Sequence, residues 1–495
     1  MKRRASGLLL PVSALPGGWG IGSFGAQAHA FLDFLASGRQ EYWQILPLGP
    51  TGVGDSPYQT FSSYAISPYY IDLNLLREEG LVSEEELVAY DCSTTSGTVD
   101  YGLLYEKRLP LLKLAFSRWK SSHKEELLSF VGENPWAGDY ALFMSIKGMH
   151  GGLPWHLWQK ELRKRKPEAL NHFITEHEEE YNFWVFTQLT ASQQWESLRG
   201  HATELGIRFI GDLPFYVAHD SVDVWMAPQF YLLDEEGDVL QVAGYPPDAF
   251  SDDGQLWGNP IFNWRALQKE RYAPWIARLA HNLKLFDIVR LDHFLGFENY
   301  WSIPAGEHPR EGRWEKGPSY DVFVCAREAL GKLDLIAEDL GLVGPDVIRL
   351  RKYLGIPGMR ILQFGFDPFS DNEHMPHNYE NDSVVYTGTH DNDTIVGWWE
   401  KTDKATRHFA KKYLRVHPGE PVEKAAHTAL MASSAGVCIL PVQDLLGIGV
   451  EGRFNIPNTL SGNWTWRLQE IPGKEYAEEL ADMTRIYRRT PLESV

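Results

Sequence analysis

The chain has 495 residues, a formal net charge of −19 at pH 7, 43% hydrophobic residues and 23% charged ones. That length holds one large barrel with insertions or two to three domains, and the composition is that of a soluble globular protein. The acidic balance argues against nucleic acid or an anionic membrane as a partner, and a neutral substrate fits better. Aromatic residues reach 13%, with 18 Trp and 22 Tyr. Sugar rings present C–H faces that stack on such side chains, although most of these rings serve the core. Cys92, Cys325 and Cys438 are odd in number and far apart, which argues against a disulfide framework or a zinc cluster and for a reducing, cytoplasmic compartment.

The N-terminal MKRRASGLLLPVSALP starts basic, but its apolar stretch is short and broken by Pro11, with no clean small-x-small site. GLLLP (7–11) therefore reads as a strand rather than as part of an export signal. Further strand-like runs are YWQILPLG (42–49), IRFIGDLP (207–214), DIVRLDHF (287–294), LDLIAEDL (333–340), MRILQFGFD (359–367), SVVYTGTHD (383–391) and GVCILPVQDLL (436–446). No run is long enough to cross a bilayer. From the third run onward, stretches that can hold a helix intervene, such as 345–355 and 400–435. Eight such units match the number that closes a parallel (β/α)8 TIM barrel, an α/β fold. An open doubly wound sheet is the alternative, but no Gly-rich phosphate fingerprint follows an early strand.

The chain thus reads as one barrel over 1–495, with long insertions after strands 2 and 3. The first, 66–200, contains charged helical stretches at 83–90, 104–131 and 155–200 and reads as mainly helical. The second, 215–285, includes GYPPDAFSDDGQLWGNP (244–260). Its Gly, Pro and Asp predict a long loop of turns rather than a regular element. Insertions after barrel strands commonly build the walls or lid of a site.

Three runs lead from apolar residues into acids: DIVRLDHF, LDLIAEDLG (333–341) and SVVYTGTHDNDT (383–394). Strands that deliver acids from their C-terminal ends onto one face are how a β/α barrel builds an active site. Strand alternation puts Ile288, Arg290 and Asp292 on the inner face, with Val289 and Leu291 packed outward. A guanidinium one pleat away keeps the Asp292 carboxyl ionised, as a nucleophile or charge stabiliser requires. Taken alone, this pair reads as a structural ion pair at a strand end; the other two acidic patches reverse that preference. The same alternation turns Ile336 and Glu338 inward and Asp339 outward, toward a loop hydrogen bond or a helix cap. Near two ionised Asp residues, Glu338 should have a raised pKa and act as a general acid. In THDNDT, Asp391 ends the strand after His390, and Asp393 caps the helix that TIVGWW begins. Asp212, Asp292, His293, Glu338, His390 and Asp391 could also form a metal-dependent hydrolase site. Against that stand the lack of HxH or HExxH spacing and a cationic Arg290 in the cluster, so no metal is expected.

These motifs converge on one family. GLLLPVSALPGGWGIGSFG, YWQILPLGPTGVGDSPYQTFSSYAISP, IGDLPFYVAHDSVDVW, PPDAFSDDGQLWGNPIFNW, IVRLDHFLGF, IAEDLG, GMRILQFGFD, YTGTHDNDT, LPVQDLLG and RFNIPNTLSGNW resemble, in order, the 4-α-glucanotransferases known as amylomaltases or disproportionating enzymes. The match covers both ends and weakens only in the insertion at about 80–180. The resemblance implies a (β/α)8 barrel of the α-amylase clan, without that clan's C-terminal β-domain or catalytic calcium. It also implies transfer of α-1,4-glucan chains between maltooligosaccharides, with retention and with no organic cofactor. Carried over, Asp292 is the nucleophile, Glu338 the acid/base and Asp391 the transition-state stabiliser. Arg290, His293 and His390 line the central sugar subsite, and Tyr58, with Ser56 nearby, supplies the ring on which that sugar stacks. Asp212, Trp257 and Asp367 are further sugar contacts.

Two positions depart from the family pattern. Residue 249 is Ala where an aromatic is frequent, leaving Phe250 for acceptor stacking, and Asn458 stands where Gly is frequent. A hydrolase on the same barrel and a non-catalytic glycan-binding barrel are the competing readings; the second would not need Asp292, Glu338 and Asp391 all intact.

Overall fold

The protein is described by a computed structural model covering residues 4–490 apart from 18, 53, 122, 248–251 and 460. Its strands in chain order are β1 (Ala5–Leu9), β2 (Tyr42–Gln44), β3 (Arg208–Leu213), β4 (Gln241–Tyr245), β5 (Gln255–Pro260), β6 (Ile288–Leu291), β7 (Asn299–Pro304), β8 (Arg313–Lys316), β9 (Leu335–Ala337), β10 (Gly358–Ile361), β11 (Ser383–Tyr386) and β12 (Val437–Pro441). Eight of them close a parallel barrel in the order β1-β12-β11-β10-β9-β6-β3-β2. Each strand is a short apolar run, and its backbone groups are satisfied only by neighbours, so closure removes both exposed edges. The eight expected runs therefore do form one (β/α)8 barrel. No β-domain follows β12 among the described residues, where the last element is the helix Lys474–Ile486.

The strands are shorter than the apolar runs. β11 ends at Tyr386, so Asp391 sits in the following loop and not at a strand end. Asp292 and Glu338 each lie one residue past a strand. The parallel ladder still reaches both: Asp292 N donates to Leu213 O at 3.1 Å and Glu338 N to Leu291 O at 3.0 Å. One unit lacks its helix, since β10 is joined to β11 through 3-10 turns at Leu362–Phe364 and Pro376–Asn378.

Between β2 and β3 the chain is helical, including Tyr101–Trp119, Lys124–Glu133, Pro135–Met149 and Glu178–Glu204. Local signals set the ends of several such helices. Ser83 and Glu86 form a reciprocal capping box at Glu84–Ala89, and Pro135 opens its helix at the first turn, where a missing N–H costs nothing. The 27-residue helix Glu178–Glu204 serves two neighbourhoods. Its first half packs on Lys124–Glu133 and Pro135–Met149, while Trp195 in its second half lies 4.7 Å from the Phe209 ring on β3.

The segment 244–260 is not the irregular loop its composition predicts. β4 and β5 pair antiparallel, Tyr245 opposite Gln255, within a four-stranded sheet of order β5-β4-β7-β8. Pro246, Pro247, Asp252, Asp253 and Gly254 fall between the two strands, while Gly244, Gly258 and Pro260 fall within them. β4 also pairs with β7, which arrives from beyond β6 in a pairing that local composition cannot show. Phe250 and Ala249 lie outside the described residues. Among the described residues no helix is long and apolar enough to cross a membrane, and Cys92, Cys325 and Cys438 carry free thiols.

Gly211 on β3 shows how tightly the barrel wall is packed. A Cβ built there would fall 2.0 Å from Cδ2 of the Phe286 ring. Gly211→Ala is expected to cost about 1–3 kcal/mol by overpacking, read as a lower urea midpoint, and to reduce activity by displacing Asp212. An unchanged midpoint would mean that Phe286 swings aside freely.

Candidate active site

The site is built on the register of adjacent strands. Asp212 on β3 stands opposite Arg290 on β6, and Arg290 opposite Ile336 on β9, so these residues share the inner face, as alternation predicts. The Arg290 guanidinium is nearly sealed from solvent, with 4% of its side-chain surface exposed, and the Asp212 side chain has none. Nη1 of Arg290 donates to both Asp212 oxygens, at 2.7 and 2.8 Å, and to Asp292 Oδ1 at 3.0 Å. The Tyr58 hydroxyl gives Asp212 a further bond at 2.7 Å. Burial opposes the charge on Arg290, yet Asp212 and Asp292 hold its pKa well above the ordinary value. Burial raises the carboxyl of Asp212, with Arg290 and the Tyr58 hydroxyl resisting.

Glu338 follows β9 directly. Its Oε2 accepts from the backbone N–H of His293 at 2.8 Å, so the residue after Asp292 holds the neighbouring acid. That N–H reaches Glu338 because His293 adopts a left-handed backbone, φ 47° and ψ 48°, strained for a residue with a Cβ. Burial lifts the Glu338 carboxyl well above the usual range; Asp292 and Asp339 add to the lift, and Arg290 and the His293 amide oppose it. Burial also lowers the His293 imidazole to about 4, which leaves it neutral at physiological pH. Its Nε2 is buried without a hydrogen-bond partner among the described residues. Asp339 faces away from the cluster as expected, but it caps no helix. It lies 3.2 Å from Arg351 and 3.3 Å from Arg360, and accepts from Met359 N at 2.7 Å.

Asp391 comes from the loop after β11. Asn455 Nδ2 donates to its Oδ1 at 2.7 Å, His390 Nε2 lies 3.3 Å from its Oδ2, and Arg453 donates to its backbone carbonyl at 2.8 Å. Burial works to raise its pKa, but His390, Asn455 and Arg290 hold it below the usual carboxylate range. Because 49% of the side chain stays exposed, solvent tempers the burial contribution, and the direction rests on those partners. The His390 ring stacks on Tyr58 with centroids 5.1 Å apart, and Trp464 lies 6.0 Å from Tyr58. Asp393, expected as the cap of the next helix, instead pairs with Lys401; the cap is Thr394, whose hydroxyl accepts from Gly397 N.

The second sheet supplies the opposite wall. Trp257 on β5 meets His293 edge-on at 4.8 Å. Gln59 ties β5 to the Tyr58 loop through the Trp257 carbonyl and Asn259, while the Tyr245 hydroxyl accepts from Leu342 N in the Glu338 loop. Ser56 accepts from Tyr58 N at 3.2 Å and shapes that turn. Asp367 is exposed, and its carboxylate accepts from Phe369 N and Ser370 Oγ in its own loop. Sequence reasoning missed Asn455, Arg453, Gln59 and Trp464. All four lie inside the quoted motifs, but uncharged or single residues there gave no chemical pattern to read. Asn458 has φ 65°, the left-handed backbone that explains a position shared with Gly.

Residues 10–472 match the family model described as 4-alpha-glucanotransferase. The chain belongs to that family. It is 47% identical over 484 residues to the 4-alpha-glucanotransferase of Thermus thermophilus, covering 95% of each chain. Identity to that of Clostridium butyricum is 41% over 483 residues, covering 97% of this chain and 99% of the relative. With the chloroplastic/amyloplastic 4-alpha-glucanotransferase of Solanum tuberosum it is 37% over 502 residues, covering 98% and 87%. Among solved structures, the amylomaltase from Streptococcus agalactiae in complex with acarbose superposes with a TM-score of 0.96 at 39% identity, covering 99% of this chain and 100% of that one. The protein is accordingly an enzyme of transglycosylation between α-1,4-glucans.

Asn455 offers a direct test of how Asp391 is held. Asn455→Asp puts a carboxylate 2.7 Å from another, which raises the Asp391 pKa and drives the two apart. Activity at neutral pH should fall roughly 10–100-fold, about 1.4–2.8 kcal/mol, and partly recover as the pH is lowered. A neutral-pH rate equal to the parent's would show that Asn455 does not govern Asp391.

Proposed function

We propose that this 4-alpha-glucanotransferase works by retaining double displacement, with Asp292 as nucleophile, Glu338 as acid/base and Asp391 as transition-state stabiliser. The observation that carries the reading is the contrast between two carboxyl groups following adjacent strands. Asp292 accepts from a sealed guanidinium, while Glu338 accepts from a backbone amide and has a pKa lifted by burial. Such a split is what separates a nucleophile from a proton donor.

In the first step an Asp292 oxygen attacks the anomeric carbon as Glu338 gives its proton to the leaving glycosidic oxygen. One C–O bond forms as another breaks, and the shortened glucan leaves with a free 4-hydroxyl. Glu338, now ionised, then takes the proton of an acceptor's 4-hydroxyl, whose oxygen displaces Asp292 and restores the α-bond. Asp391 would hold the 2- and 3-hydroxyls of the reacting sugar as its ring flattens. Arg290, His293 and His390 would line that subsite, with Tyr58 beneath the ring and Ser56 at its turn. Trp257, Phe250 and Asp367 would contact flanking sugars, whereas Asp212, expected as a sugar contact, is sealed from solvent and would act through Arg290 and Tyr58.

Maltooligosaccharides or glucose serve as acceptors in this reading, and the three free thiols fit a cytoplasmic setting. Water at about 55 M outnumbers millimolar sugar by roughly 10⁴, about 5–6 kcal/mol. The helical span 66–200 and the 215–285 span would wall the cleft so that acceptor binding and water exclusion offset this difference.

Maltotriose should therefore yield glucose and a ladder of longer maltooligosaccharides with little net gain of reducing ends. Steady growth of reducing ends with no longer products would identify a hydrolase instead. The proton donor is tested by pH: donor kcat/KM should fall as pH rises through the raised pKa of Glu338, because the ionised acid has no proton to give. A glucosyl fluoride donor, whose leaving group needs no proton, should lose that alkaline limb and should lose less to Glu338→Gln. Equal losses on both donors would remove Glu338 from the role.

A further inference from the structure

Asp444 follows β12 in the short helix Val442–Leu445 and is 1% exposed. Its two oxygens are taken by residues eight positions apart on another element. The Thr387 hydroxyl, at the end of β11, donates to Oδ2, and the Ile395 N–H, in the first turn of the helix Ile395–Lys401, donates to Oδ1 at 2.8 Å. Thr387 and Ile395 are themselves fully buried. Between them lies the loop that carries His390 and Asp391. A carboxylate suits this place because it offers two acceptors in a fixed fork, whereas an amide offers one acceptor and one donor. Burial pushes the Asp444 carboxyl up to about 7, with Asp393 and Glu423 adding and the two donors opposing, so those two bonds are what holds its charge.

Within the loop, Asn392 accepts from Thr389 N at 2.8 Å, and Asn455 and Arg453 donate to the Asp391 carboxylate and carbonyl. Gln363 also reaches both ends, its N–H donating to Thr387 O at 3.3 Å and its Nε2 to the Asp393 carbonyl at 2.8 Å. Asp444 joins the two ends on a single buried carboxylate.

We propose that Asp444 is a positioning residue for the transfer reaction: by clasping Thr387 and Ile395 on one buried carboxylate it closes the base of the 388–394 loop and thereby sets Asp391 in the cleft. The inference rests on the assignment of Asp391 as transition-state stabiliser. A carboxylate that acts in the transition state is sensitive to small displacements, and a loop open at its base lets it drift without removing any sugar contact. The cost then falls on kcat and not on KM.

The test is a double-mutant cycle followed by single-turnover transfer at high enzyme concentration. Asp444→Asn keeps the volume but offers only one acceptor, and should lower kcat about 10-fold with the KM for maltotriose within twofold. In an Asp391→Asn background the same change should cost less than twofold, because there is no carboxylate left to misplace. Thr387→Val removes one of the two bonds while leaving Asp444 in place, and should show the same non-additivity should Asp444→Asn fail to fold. Equal losses with and without Asp391 would reduce Asp444 to a structural residue, as would a parental kcat in both variants. An Asp391→Asn enzyme with parental turnover would instead overturn the role of Asp391 itself.

Discussion

The Arg290 guanidinium lies between the Asp212 and Asp292 carboxylates at a depth where almost no water reaches. Taking such ions out of water costs several kcal/mol each, and their attraction offsets this only where geometry is good and the remaining lone pairs are bonded. Here they are: Asp212 receives Arg290 on both oxygens and Tyr58 on one. The other features of the cleft follow from this arrangement. Tyr58 is aimed by its bond to Asp212, and His390 stacks on Tyr58. Asp292 is held at the open end of the ion pair, with 28% of its side chain exposed, so that its carboxylate faces the cleft while its counter-ion stays behind it. The cluster favours function over stability, since apolar residues of similar volume are often as stable as a buried pair.

The same charges divide the acids by role. Arg290 bonds Asp292 directly but reaches Glu338 only through space, where it is outweighed by burial and by the negative charge of Asp292. Thus the group that keeps one carboxylate in place leaves the other with a raised pKa. Asp391 is a third case, held low by hydrogen-bond donors outside the barrel ladder. Glu338 and Asp391 are thus shifted in opposite directions by their neighbours within one cleft.

Much of this was readable in the chain because strands impose a period of two. The alternation of DIVRLDHF and LDLIAEDL correctly put Arg290, Ile336 and Glu338 on the inner face and Asp339 on the outer one. It failed where the ladder stops. β11 ends five residues before Asp391, so alternation carried past Tyr386 described a strand that is not there. The second sheet was hidden for a related reason. β4 takes its second partner, β7, from beyond β6, and a window on 244–260 cannot see that pairing. Asp339 was read as bonding a loop or capping a helix, but its partners Arg351, Arg360 and Met359 N come from a helix and a strand farther along the chain. Each miss is a non-local contact overriding a local propensity.

These failures also mark where the protein had to add something. Asp292 and Glu338 inherit their positions from the barrel, through backbone hydrogen bonds in which their N–H groups donate to the carbonyls of Leu213 and Leu291, as any non-proline residue there would. Asp391 inherits nothing from a strand. Its place depends on specific side chains converging from distant segments: Asn455 on its carboxylate, Arg453 on its carbonyl, and Asp444 with the two ends of its loop. Sites on loops are less exact than sites on strands unless a supporting shell fixes them. In this barrel that shell comes from the segment after β12, which explains why motifs with no catalytic acid, LPVQDLLG and RFNIPNTLSGNW, belong to the active site as much as the strands do.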